Sequence, residues 1–126
     1  MLYTSYFGNL NKIKKNIEHF NNPLICSISN QKPQFLDDTI LDWSFLGPTK
    51  DLLYLYKQGK IDENIYTLNY LNNINLNWVE LNKLFKSVEN RDVIMLCYEK
   101  PDKFCHRHLL SVFINEKGYK CKELTI

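Results

Sequence analysis

The segment from Cys97 to Arg107 gathers the side-chain types that nucleophilic and acid–base chemistry need: Cys97 and Glu99, then Cys105, His106 and Arg107. A thiol at the start of a helix, close to an arginine or a protonated histidine, ionises more readily than a free one, which makes Cys105 a candidate nucleophile. Glu99 beside His106 is a candidate general acid/base pair. The planar fork of Arg107 suits a phosphate or a carboxylate. Each residue also has a plainer reading. Cysteine is among the most buried residue types, so Cys97 fits equally as a small core hydrophobe, and Cys26 and Cys121 read that way first. Glu99 fits equally as a solvated loop residue.

The same residues raise the question of a metal. Cys97, Cys105 and His106 offer soft donors, with Glu99 or Cys121 as a further ligand. Structural zinc normally uses a tighter Cys-x2–4-Cys pair on at least one side, and that pair is absent. No cofactor is therefore expected, with zinc kept as the alternative.

The elements around these residues must position them. Val93-Ile94-Met95-Leu96-Cys97 is a continuous apolar run, the pattern of a strand buried on both faces in a parallel sheet. Cys97 and Glu99, two apart, then share one face at the C-terminal end of that strand. Ligands in open α/β sheets bind beyond those ends. After Pro101-Asp102, an amphipathic pattern of Leu109, Leu110, Phe113 and Ile114 predicts a helix that Gly118 closes. With Asp102 as its N-cap, Cys105 falls in the first turn. Unpaired backbone N–H groups there favour an anion, phosphate above all.

Upstream, Leu2 to Phe7 reads as a first strand and Leu24 to Ile28 as a second, with a helix from Asn11 to Phe20 between them. Residues 30–49 show no clean period and read as a loop carrying Phe35, Trp43 and Phe45. Loops this long in a compact domain tend to be functional. Three helices follow, the first capped by Thr49, the second by Asp62, the third starting near Asn77. Tyr119 to Leu124 reads as a final edge strand. The sum is one α/β domain over residues 1–126, a mainly parallel, Rossmann-like three-layer arrangement with a sheet of about four strands.

Composition narrows the function classes. Of the 126 residues, 44% are hydrophobic and 24% charged, ordinary globular values. A net charge of +2 supplies no basic face for extended nucleic-acid binding. Basic residues are almost all lysine, and the only arginines are Arg91 and Arg107. No apolar stretch reaches the roughly 18 residues of a membrane span, and the N-terminus lacks a signal-peptide pattern. A cytoplasmic location with reduced cysteines is the expectation.

The motif Cys97-Tyr98-Glu99-Lys100-Pro101 followed by Cys105-His106-Arg107-His108-Leu109 resembles the Cys-x-Glu…Cys-His-Arg signature of the family labelled domain of unknown function 488. Tyr3-Thr4-Ser5-Tyr6-Phe7-Gly8, Ile28-Ser29-Asn30…Pro33, Pro48…Leu52-Leu53…Tyr56-Lys57 and Tyr66…Tyr70 are similar to other stretches of that family, so the likeness covers nearly the whole chain. It implies an α/β domain with its site at these residues. Beside the motif, Thr4, Ser5 and Tyr6 become candidate ligand contacts. So does Lys32, which stands where members of the family often carry arginine.

Three functions compete. The first is an enzyme acting on a nucleotide or a nucleic-acid base. Glu99, Cys105 and His106 would do the chemistry, Arg107 would hold a phosphate, and Trp43 or Tyr6 would stack on the ring. The second is a non-catalytic module for a phosphorylated small molecule, with Cys97 and Cys105 packing and Glu99 bonding a ribose or base. The third is a protein-interaction domain in which the motif only locks a loop.

Overall fold

The computed structural model describes residues 1–126. Strands β1 (Leu2–Tyr6), β2 (Leu24–Ser27), β3 (Leu41–Asp42), β4 (Val93–Cys97) and β5 (Cys121–Glu123) form one fully parallel sheet in the order β3-β2-β4-β1-β5. The continuous apolar run is its middle strand, and every residue of β4 is buried. The sheet has five strands because β3 joins its edge beside β2. That strand escapes sequence reading because both of its residues are exposed and carry no alternation.

Helices cover both faces, which makes a three-layer α/β domain. On one face α1 (Leu10–Lys15) brings Ile13 against Ile94 and Leu96. On the other, α2 (Lys50–Lys57), α3 (Glu63–Leu76), α4 (Trp78–Ser87) and α5 (His106–Glu116) surround Leu2, Cys26, Val93, Met95 and Cys97. Side chains alternate across a strand, so the odd residues of β4 all point to the α5 side.

Local chemistry explains most boundaries. Thr49 Oγ1 accepts from the Leu52 amide at 3.2 Å and Asp62 Oδ1 from the Ile65 amide at 2.9 Å, so both act as the predicted caps. Gly118, at φ 99°, ends α5 in a conformation that favours glycine. The first helix is shorter than its apolar spacing predicts. It stops at Lys15, Asn16 leaves helical geometry, and a 3-10 turn covers Ile17–His19. Asn16 Nδ2 bonds the Lys12 carbonyl at 2.8 Å, a side-chain contact that competes with further helical pairing.

The segment 30–49 is more structured than a loop. Besides β3 it holds a 3-10 turn at Ser44–Leu46, and Trp43 is buried in the main core. The chain at Gly47 presses on the end of β2, and a Cβ there would sit 2.9 Å from the Ile28 carbonyl oxygen.

Candidate active site

Cys97 ends β4 and points to the α5 side, where the chain turns back to start that helix. Asp102 is not the N-cap. A turn closed by the Lys103 amide on the Lys100 carbonyl holds Pro101–Asp102, the backbone at Cys105 is extended, and α5 begins at His106. Cys105 is therefore the N-cap rather than a first-turn residue, which puts its sulfur at the mouth of the helix instead of on its side. Its sulfur makes no capping hydrogen bond.

This turn brings Cys97, Cys105 and His106 together: their Sγ, Sγ and ring-nitrogen atoms lie within 4.8 Å of one another, and all three residues are buried. The set could hold a metal ion. His106 Nε2 lies 2.6 Å from the Ile28 carbonyl oxygen, and Nδ1 lies 3.8 Å from Cys105 Sγ. A carbonyl only accepts, so Nε2 carries a proton, and Nδ1 is the ring atom that faces the Cys105 sulfur.

The two thiols hold their protons unequally. A hydrogen bond from the Cys97 thiol holds Cys105 well below the ordinary thiol range, opposed by burial and helped by His106. Cys97 is pushed up by donating that bond, by its burial and by the Cys105 charge, which together outweigh the pull of Arg107. Of the two, Cys105 is the thiol that ionises first.

Arg107 has a different place from the one its fork suggests. It is fully buried. Nε and Nη2 donate to Glu123 Oε1 and Oε2 at 3.1 and 2.9 Å, while Nη1 donates to Cys97 Sγ at 3.0 Å and to the Glu99 carbonyl. The expected phosphate contact is thereby corrected: no fork faces a ligand, and Arg107 positions the site by tying β4, α5 and β5 together. Thr4 serves the same network, its hydroxyl donating to Glu123 Oε1 at 2.7 Å. Glu123 was missed by sequence reading because no local spacing connects it to the motif.

The sulfurs open on a pocket of about 350 Å³, within the range of small-molecule sites. One wall is aromatic: Tyr56, Tyr66 and Phe104 have centroids 5.0, 5.4 and 5.5 Å apart pairwise. The loop after β2 adds Ser29, Asn30 and Gln31, and Lys57 and the exposed Glu99 stand at the rim. Of the sequence candidates, the structure places Cys97, Glu99, Cys105 and His106 on this pocket. The others lie elsewhere. Ser5 is buried and accepts from Asn9 Nδ2 at 3.1 Å, and Trp43 is core. Lys32 donates to the Asp37 carbonyl at 3.0 Å, and Tyr6 is half-buried off the lining. The aromatics that line the pocket are thus Tyr56, Tyr66 and Phe104 rather than Trp43 or Tyr6. The tyrosine spacings upstream were the available signal for two of them.

No helix is long and apolar enough to cross a membrane. No curated protein and no solved structure matches the chain. Residues 18–118, a span that includes the whole Cys-His-Arg segment, match the family model described as the active DUF488-N3 subclade, and the chain belongs to the DUF488 family.

Proposed function

We propose that the pocket binds a phosphorylated, nucleotide-like ligand and that Cys105 attacks it as a thiolate. One observation carries this reading: a thiol at a helix start, set against an imidazole whose Nδ1 faces it, opens on an aromatic-walled pocket. The ring of the ligand lies against Tyr56 and Phe104. Its phosphate is met by Lys57 and by the first amides of α5, where the helix dipole favours negative charge. The Cys105 thiolate, supported by His106 Nδ1, attacks an electrophilic carbon of the ligand while Glu99 protonates the leaving group, and water then displaces the sulfur from that carbon, which frees the product and returns Cys105 as the thiolate. The word "active" in the description of the matching subclade accords with catalysis. All four cysteines are unpaired, as a reducing, cytoplasmic compartment would keep them.

A thermal-shift screen of nucleosides, nucleotides and sugar phosphates, followed by product analysis, tests this. Stabilisation by nucleotides, with turnover lost in Cys105→Ser while binding survives, is the expected result. Stabilisation without turnover in the wild type would leave a binding module. No stabilisation by any phosphorylated compound would sink both.

A further inference from the structure

We propose that Cys97 Sγ, Cys105 Sγ and His106 Nδ1 also form a zinc site, and that zinc seated there silences Cys105. The regulatory half rests on Cys105 being the reacting thiol; the metal half stands on the donor geometry alone.

The donors already lie within 4.8 Å of one another, and the Cys105–His106 separation is 3.8 Å. A tetrahedral zinc with Zn–S bonds of about 2.3 Å sets its sulfurs about 3.8 Å apart, so closing the set takes side-chain rotation of roughly 1 Å. The imidazole is oriented for this role. Metal-bound histidines almost always donate their second ring N–H to a carbonyl, carboxylate or water. His106 makes that contact to the Ile28 carbonyl at 2.6 Å, which fixes the tautomer and leaves Nδ1 as the donor atom facing the sulfurs. A third element balances charge: Arg107 Nη1 donates to Cys97 Sγ at 3.0 Å, a contact suited to a ligating thiolate.

Protein supplies three donors, and the fourth position faces the pocket, open to water or to a ligand atom. A site of this kind exchanges its ion more readily than a closed four-ligand site. Zinc binds both sulfurs as thiolates, so binding releases whatever protons they hold, and the bound sulfur shares with the metal electron density that attack on a ligand would use. Metal occupancy therefore slows nucleophilic attack at Cys105.

The test uses the full chain, stripped with a chelator, desalted and titrated with cobalt(II) and then zinc. The expected result is one equivalent of cobalt with a thiolate-to-cobalt charge-transfer band and tetrahedral ligand-field bands, displaced by zinc. Cys97→Ser and His106→Ala should each weaken zinc binding by at least about tenfold, the minimum seen even for lost outer-shell partners, while Cys26→Ala binds as wild type. Circular dichroism shows which variants remain folded, and Cys97→Ser is decisive where His106→Ala is not. Zinc should also slow iodoacetamide labelling of Cys105 in the wild type. Absence of the thiolate band, or unchanged affinity in Cys97→Ser, overturns the site. Labelling at the metal-free rate with zinc bound overturns the silencing. Nucleotide stabilisation that persists in the stripped protein while cobalt fails would remove only the metal. A metal-free Cys105 no more reactive than Cys121 would remove the nucleophile and leave the metal standing.

Discussion

Arg107 and Glu123 form a two-pronged ion pair across the top of the sheet, with the guanidinium fully buried and the carboxylate partly exposed. The pair fixes α5 to the edge strand, and Nη1 of the same guanidinium reaches back to Cys97 and the Glu99 carbonyl. One side chain thus sets the positions of both ends of the candidate site.

Breaking that pair should cost stability first and chemistry second. Glu123→Gln leaves a buried guanidinium short of charge, and Arg107→Lys removes the fork that lysine cannot reproduce. Each should lower unfolding stability by about 3 kcal/mol, the low end for a buried pair because Glu123 is partly solvated. Urea denaturation reads this as a lower midpoint at unchanged slope. A loss well under about 1 kcal/mol would class the pair with surface ion pairs.

The unequal thiols predict a pH profile. The folded Cys105 thiol lies below its ordinary value of 9.0, so its thiolate persists as pH falls through the range where a free thiol has become protonated. Iodoacetamide labelling of chelator-treated protein, resolved by peptide mass, should show Cys105 losing little rate from pH 8 to pH 6. An unperturbed thiol loses about tenfold per unit there. Cys97→Ala removes the hydrogen bond from residue 97 and should move the Cys105 profile upward in pH. A profile centred near the ordinary thiol value in the wild type would refute the charge assignment.

Gly47 links the core to the site. A Cβ at this position meets the Ile28 carbonyl oxygen at 2.9 Å, the same oxygen that holds His106 Nε2. Gly47→Ala should destabilise the protein by about 1–3 kcal/mol, the usual range for overpacking. It should also slow labelling of metal-free Cys105, because the imidazole loses its orientation. Unchanged melting and unchanged labelling would show that the segment 28–30 yields freely.

Lys57 separates phosphate recognition from ring recognition. Lys57→Ala should weaken nucleotide binding by roughly tenfold or more, as expected for a hydrogen bond to a charged group, while nucleoside binding stays level. Tyr56→Ala should weaken both. Isothermal titration with a matched nucleoside and nucleotide measures the difference, and equal losses for Lys57→Ala would move the phosphate elsewhere.

Local chemistry made much of this protein legible in its residues. An unbroken apolar run has to be shielded on both faces, so Val93–Cys97 announced a central parallel strand. Thr49 and Asp62 announced helix starts because their oxygens satisfy first-turn amides. The motif from Cys97 to His106 lay close enough in sequence for one strand–turn–helix unit to bring it together. Three further features needed the folded chain. The two-residue strand β3 has exposed residues and no period, so only pairing with β2 defines it. The helix start fell at Cys105 rather than Asp102 because the turn at Lys100–Lys103 takes up the aspartate before the helix begins. The role of Arg107 was decided by Glu123, which reaches it through the pairing of β5 with β1. Residue type determined that Arg107 would seek a carboxylate or a phosphate; only the sheet order determined that the protein supplies the carboxylate itself.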